Sequence, residues 1–544
     1  MKRIFLILFG LILTSHCLAF EITMPSIFSD HMVLQRNQKV PVWGITVPNA
    51  TVEVLFAEQK KHVESDEKGN WRVDLNPLKA SSESQILTIT ARYNNEIATL
   101  EILDVLVGEV WLCSGQSNMY RPFRMLIGQA VESKYESIGE YLRNEAATAN
   151  DSLFRQFKVG QDFSVFEEKN QGRGTWSKAI QGQVNEFSGT AYFFGRELRQ
   201  ELNVPVAILS CNLGGTRIEP WMPISAYEAN ETLKKLYNKE IITYKKQLAS
   251  WDAVKAEKIY QQVLAAWEEK EKQVDLEGES ESRKPKKPQH PRRNKQIPAT
   301  LYNAMVHPLI PFALKGAIWY QGESNTKNAA KTYGLKLSTM IESWRAAWGQ
   351  DDYYFYYCQL ANYRKPNIEP IGDSDGWAVL SDQQRHVLKL PNTGMAVLND
   401  IGEAKDIHPK NKVDVGKRLS LWALNQAYGK NSAFSGPLYK SSEIKKNKIV
   451  VTFSHVGSGL MVGKKHLLEQ TIPVDEPLKR FQICGKDWQW KWAKAKISSK
   501  NSVEVWHDEI QNPVEVRYAW SSNPEGANLY NKEGLPASLF KTNN

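Results

Sequence analysis

Four short polar clusters in this sequence carry residues that can do chemistry, and each follows an apolar run. Gly115-Gln-Ser-Asn-Met119 places a serine just past the run Val105–Cys113. A serine on a sharp strand-to-helix turn exposes its hydroxyl and leaves its backbone N–H free to meet an oxyanion. The spacing differs from the Gly-x-Ser-x-Gly elbow, because Met119 stands where the second glycine would be. Asn212-Leu-Gly-Gly-Thr-Arg217 follows Val206–Cys211, and its paired glycines let backbone N–H groups approach a ligand. Trp319-Tyr-Gln-Gly-Glu-Ser-Asn325 ends the run Ala317–Tyr320 and supplies a side-chain amide at Gln321. Asp406-Ile-His-Pro409 comes after Met395–Leu398 and before a helical pattern, offering an imidazole with a carboxylate close by. Nucleophile, backbone donors, amide and base, each at a strand end, compose a hydrolase site.

The elements that must position these residues are legible around them. Five apolar runs, the four above and Tyr353–Leu360, alternate with helical periodicity such as Tyr192–Leu202 and Val413–Ala427. Buried strands alternating with helices predict an α/β domain over 105–430, with a parallel sheet covered on both faces. Function in such sheets gathers at the C-terminal strand ends, where the strand order reverses. Residues 20–104 read as a β-sandwich of short alternating strands, and 431–544 as a second β-rich module. Within the α/β region, 227–297 reads as a helical insertion. Leu233, Leu236, Tyr237, Tyr244, Leu248 and Trp251 recur there at helical spacing. The acidic stretch 268–281 and the basic, Pro-rich stretch 283–295 that end it read as solvated loop rather than a nucleic-acid patch. Gly457 to Lys464 has one residue too many between its glycines for a P-loop, and Lys465 replaces the magnesium-binding hydroxyl.

Composition bounds the compartment and the partners. The 544 residues carry 69 Lys and Arg against 60 Asp and Glu, a surplus too small for a nucleic-acid binder but suited to an anionic substrate. Seventeen Trp and 21 Tyr supply flat side chains of the kind that pack on sugar rings. Lys2-Arg3, the apolar run Ile4 to Leu13, and Cys17-Leu18-Ala19 form a signal-peptide pattern over 1–19, cleaved near Ala19. The mature protein is therefore expected to be exported, to the periplasm or beyond, with no membrane span. Its four cysteines, Cys113, Cys211, Cys358 and Cys484, are widely spaced, and most read as small buried hydrophobes.

Together the motifs Gly115-Gln-Ser-Asn-Met119, Gly214-Gly-Thr216, Trp319 to Asn325 and Asp406-Ile-His-Pro409 resemble the sialate O-acetylesterase family of the SGNH hydrolase superfamily. Leu301 to Pro308, Asn523 to Tyr530 and Met24 to Trp43 extend the likeness over nearly the whole mature chain. The resemblance implies an SGNH, flavodoxin-like three-layer α/β/α hydrolase domain flanked by the two β modules. It implies Ser117 as nucleophile, His408 as general base, and an oxyanion hole from the N–H groups of Ser117 and Gly215 with the Gln321 amide. The substrate is then an O-acetylated sialic acid or, alternatively, an acetylated xylan or other polysaccharide, with no cofactor and no metal. Where many relatives place an Asp three residues before the His, this chain has Lys405. Asp406 is the nearest carboxylate to orient His408, with Glu403, Asp400 or a backbone carbonyl as alternatives. Tyr120-Arg121 likewise stands where many relatives carry an acidic residue. Arg217 is the candidate grip for a substrate carboxylate, its alternative being a structural salt bridge. His307, Trp319 and Tyr320 read as structural, and Glu323 as either orienting Gln321 or belonging to a polar network.

Overall fold

The serine's strand is far longer than its apolar stretch. In the computed structural model, which describes residues 20–130, 134–274, 284–327, 329–350 and 353–542, β1 (Glu96–Gly115) serves two sheets. Its first half pairs antiparallel with Ser81–Tyr93, and its last seven residues pair parallel inside a central sheet. Between the two halves Asp104 takes a positive φ of 54°. Arg155, at 2.9 Å, His31, at 2.7 Å, and Lys178, at 2.9 Å, pin its carboxylate there. The expected signal segment, 1–19, lies outside the described residues, as does much of the acidic stretch.

After β1 come β2 (Asn150–Val159), β3 (Gly174–Ile180), β4 (Val206–Asn212), β5 (Gly316–Tyr320), β6 (Tyr354–Cys358) and β7 (Thr393–Ala396). Their order in the sheet is β7-β6-β5-β1-β4-β2-β3, and every neighbouring pair is parallel except β2 with β3. The chain builds outward from β1 to one side, through β2 and β4, and then crosses to build β5, β6 and β7 on the other. The reversal lies beside β1, which is where an open α/β sheet leaves a crevice.

Alternation along β1 feeds two cores. Val110 and Leu112 join Trp319, Leu337, Trp344 and Phe355 on one face; Trp111 and Cys113 join Phe194, Ile318, Tyr320 and Leu419 on the other. The helices follow suit. α1 (Ser117–Tyr120) caps β1, and α2 (Gly189–Leu202) and α4 (Lys412–Gln426) cover the second face, while α3 (Tyr333–Trp348) covers the first. The molecule is thus a mixed α/β protein with a central sheet, helices and additional sheets. Two strands of that sheet, β2 and β3, carry no apolar run, because Arg155, Gln156, Lys158 and Lys178 interrupt them.

Shorter strands from Val33 to Tyr93 precede the sheet, and after residue 437 two four-stranded antiparallel sheets enclose Ile449, Val451, Phe481, Val503 and Phe540. Helices Glu231–Ala249 and Ala253–Val274 occupy the insertion. Cys113, Cys211, Cys358 and Cys484 are all buried free thiols.

Candidate active site

A glycine makes the turn that presents the serine. Gly115 has φ +140°, and a Cβ there would lie 2.2 Å from the Tyr320 carbonyl. Its absence lets the Gln116 N–H donate to that carbonyl at 3.0 Å, so the turn closes on the end of β5. Ser117 then opens α1 on the crevice side of the strand reversal.

The imidazole of His408 meets this serine from the loop between β7 and α4. Ser117 Oγ lies 3.0 Å from His408 Nε2, and Asp406 Oδ1 lies 3.1 Å from Nδ1 while also accepting the His408 backbone N–H at 2.9 Å. Asp406 is fixed in turn by Lys410 Nζ at 2.9 Å, which also reaches Glu403 at 2.7 Å. Of the carboxylates weighed from the sequence, Glu403 is therefore held by Lys410, and Asp400 is paired bidentate with Arg418 at 2.6 and 2.8 Å. Only Asp406 of the three touches the imidazole. Burial raises the Asp406 pKa, but hydrogen bonds from His408 and Lys410 outweigh it and hold the carboxyl well below its usual range. Burial pushes His408 below the ordinary histidine value; the bond to Asp406 opposes this, and the charge of Arg121 adds to it. A neutral imidazole at neutral pH is the state a general base requires.

The donors around the serine divide differently from the sequence expectation. The N–H groups of Ser117 and Gly215 have no acceptor among the described residues. Gly214 lies against the nucleophile, since a Cβ on it would stand 3.6 Å from Ser117 Cβ. Gly215 takes φ +67°, and Lys295 and Gln296 clamp the turn by donating to the Gly214 and Gly215 carbonyls.

Gln321, expected as the side-chain donor, is fully buried. Its amide nitrogen is engaged by Gln116 Oε1 at 3.1 Å, the Thr216 carbonyl at 3.1 Å and Asn325 Oδ1 at 2.8 Å. Its two hydrogens are fully subscribed, so it cannot also donate to an oxyanion. The group it orients is Gln116, whose Oε1 also accepts the Ser324 N–H at 3.3 Å. With its oxygen held on the protein side, Gln116 turns an amide NH2 that has no partner among the described residues and is not sealed from solvent. The sequence printed Gln116 beside the serine but gave no reason to rank it above Gln321.

Arg217 also departs from expectation. Its guanidinium pairs bidentate with Glu240 of the insertion at 2.7 and 3.2 Å and donates to the Gln296 carbonyl at 3.0 Å. The fork offered to a substrate carboxylate is already filled, which is the structural alternative. His307 sits between the Lys169 carbonyl and Glu168, away from the serine, and Trp319 and Tyr320 are wholly buried.

Behind the nucleophile lies a buried polar chain. Asn118 donates to Glu323 at 2.5 Å and accepts from Lys412 Nζ at 2.6 Å. Burial raises the Glu323 pKa and pushes Lys412 down to about 7. Glu323 therefore anchors the residue after the serine rather than Gln321. Among the described residues no three His, Cys, Asp or Glu side chains converge as a metal site.

Three comparisons bear on this geometry. A family profile described as carbohydrate esterase, sialic acid-specific acetylesterase, matches residues 290–424. The mouse sialate O-acetylesterase (Mus musculus) is 28% identical over 95% of this chain and 93% of its own length; the human protein is 27% identical over 95% and 91%. Among solved structures, a carbohydrate acetylesterase from Xanthomonas citri shares 34% identity and superposes with a TM-score of 0.75, over 96% of this chain and 100% of its own.

Proposed function

This chain belongs to the sialate O-acetylesterase family of carbohydrate esterases and is an ester hydrolase, and from that premise we propose that it is an exported serine esterase removing O-acetyl groups from sialic acids. The observation that carries the proposal is the 3.0 Å contact between Ser117 Oγ and His408 Nε2 at the strand reversal. In this reading Ser117 attacks the acetyl carbonyl as His408 takes its proton, and Asp406 steadies the imidazolium. The N–H groups of Ser117 and Gly215, with the Gln116 amide, meet the oxyanion. The sugar hydroxyl leaves with the proton from His408, and water then frees acetate from the acyl-enzyme. The parallel sheet with a core on each face supports an SGNH-type hydrolase domain over 105–430, with β modules at 20–104 and 431–544. The pattern at 1–19 supports export. Among the described residues no helix is long and apolar enough to cross a membrane.

A second reading, an esterase of neutral acetylated polysaccharide such as acetyl-xylan, is favoured by the engagement of Arg217 with Glu240. Acetate release from O-acetylated sialic acid and from acetyl-xylan, each with wild type and Ser117→Ala, tests both. The expected result is Ser117-dependent release with preference for the sialic acid. Full release by folded Ser117→Ala ends the serine mechanism, and preference for xylan ends the substrate assignment.

A further inference from the structure

The catalytic base carries two contacts that its chemistry cannot satisfy together. Arg121 Nη2 lies 2.8 Å from His408 Nδ1, and Asp406 Oδ1 lies 3.1 Å from the same atom. An arginine nitrogen only donates, so that contact requires a lone pair on Nδ1. The neutral ring's single hydrogen then sits on Nε2 and points at Ser117 Oγ, where no proton can be accepted. The Asp406 contact requires the opposite tautomer, with the hydrogen on Nδ1 and the lone pair on Nε2 facing the serine. Only this second arrangement is a general base.

Arg121 is itself poorly provided for. Its Nε and Nη1 are buried without hydrogen-bond partners, and no carboxylate lies within ion-pair range of it among the described residues. Burial lowers its pKa, Asp406 opposing from beyond contact, while Lys412 faces the same region as a second cation. A guanidinium with two stranded donors beside a nucleophile is a vacant anion receptor in its chemistry. A carboxylate binds a guanidinium bidentate through either Nε with Nη2 or Nη1 with Nη2. Both modes pair one stranded nitrogen with Nη2, the nitrogen now resting on His408. Nη2 carries two hydrogens, so the anion competes with His408 in the mode that takes the hydrogen now on Nδ1, and in that mode it draws Nη2 off the ring.

We propose that Arg121 is the specificity residue of this site: it takes the carboxylate of an acidic acetylated sugar, and until that carboxylate arrives it holds His408 in the tautomer that cannot act as base. On binding, the ring proton moves from Nε2 to Nδ1 by exchange with solvent, with no net protonation, and Asp406 accepts the new N–H. This inference rests on the esterase reading above and supplies the anion grip that Arg217, tied to Glu240, does not.

The test is a cycle between the residue and the substrate charge. Wild type, Arg121→Gln and Arg121→Lys are assayed on O-acetylated N-acetylneuraminic acid, on its methyl ester, and on p-nitrophenyl acetate. The wild type should prefer the free acid over the ester by about tenfold or more in kcat/KM, the worth of one charge-assisted hydrogen bond. Arg121→Gln should bring that ratio close to one and raise turnover of p-nitrophenyl acetate, since the contact on Nδ1 is gone. Arg121→Lys should keep part of the preference. A 15N NMR signal of the His408 ring that moves from unprotonated to protonated Nδ1 on adding unacetylated sialic acid, in wild type but not in Arg121→Gln, reports the switch directly. An unchanged acid-to-ester ratio in Arg121→Gln overturns the proposal whatever happens to p-nitrophenyl acetate. So does a parallel fall on all three substrates, which marks Arg121 as structural support. Loss of every activity in Ser117→Ala, read in the same assays, reports separately on the esterase reading.

Discussion

Replacing Gln116 with alanine separates the amide that faces the site from the amide that holds it. In the proposed mechanism Gln116 donates to the oxyanion, and losing one such donor lowers kcat by about 10²–10³, or roughly 3–4 kcal/mol of transition-state stabilisation. KM should change little, because the acetyl carbonyl oxygen carries full charge only in the tetrahedral intermediate. The cost in stability follows from what Gln116 Oε1 accepts. Gln321 keeps two other acceptors, Thr216 and Asn325, so only the Ser324 N–H is stranded. Ser324 is only half-buried, so its unpaired N–H costs at most about 1–3 kcal/mol, and the fold survives it.

Gln321→Ala should show the reverse balance. It removes bonds to Gln116, Thr216 and Asn325 together with one of the two acceptors of the Tyr333 hydroxyl, the backbone carbonyl remaining, and it opens a cavity among fully buried groups. A large fall in melting temperature with a smaller fall in kcat is expected from thermal denaturation and p-nitrophenyl acetate turnover run side by side. Near-normal kcat in folded Gln116→Ala, with kcat lost in Gln321→Ala at preserved stability, would return the oxyanion role to Gln321 and refute this reasoning.

Three further outcomes follow from the same geometry. Asp406→Ala should lower kcat by about 10²–10⁴ with modest loss of stability, whereas Asp400→Ala should cost about 3–5 kcal/mol in denaturant unfolding, because it leaves the buried Arg418 unpaired. Equal kcat losses would mean that the orienting carboxylate is misassigned. Since His408 lies below its ordinary value, the neutral base persists as pH falls, and the acid limb of kcat/KM should lie below about 6.5. Removing Asp406, which raises that pKa, should carry the limb lower still, and a wild-type limb above 7 contradicts the burial argument. Arg217→Ala should weaken turnover of acidic and neutral acetyl esters by similar factors, because its partner Glu240 and the Gln296 that clamps Gly215 both lose their hold; a loss confined to the acidic substrate would restore it as the carboxylate grip.

What the sequence disclosed and what it hid divide along physical lines. Ser117 and His408 were legible because each ends or follows a buried parallel strand, and such strands announce themselves as unbroken apolar runs. β2 and β3 were hidden because they lie toward the sheet's edge and carry charges that serve Asp104 and Glu186. The choice between Gln116 and Gln321 was hidden for another reason. Both are glutamines beside a glycine at a strand end, and which one faces the crevice depends in part on acceptors 105 and 205 residues away. The pairing of Arg217 with Glu240 depends on a helix in an insertion whose own pattern says only that it is amphipathic.

The buried chain behind Ser117 shows how the site tolerates so much charge. Lys412 and Glu323 are both withdrawn from water, and each alone would be costly as an ion. Asn118 stands between them, accepting from one and donating to the other, so the pair can share its charge or neutralise without moving the residue after the nucleophile. Burial moves the two pKa values toward each other, with Lys412 down at about 7 and Glu323 raised, which narrows the gap between the ionised and neutral pairs. Either state keeps Asn118 bonded at both ends of its amide. The first turn of α1 is therefore fixed by buried groups behind the nucleophile, and Arg121, one residue past that turn, rests on His408 through Nη2 while its Nε and Nη1 have no hydrogen-bond partner.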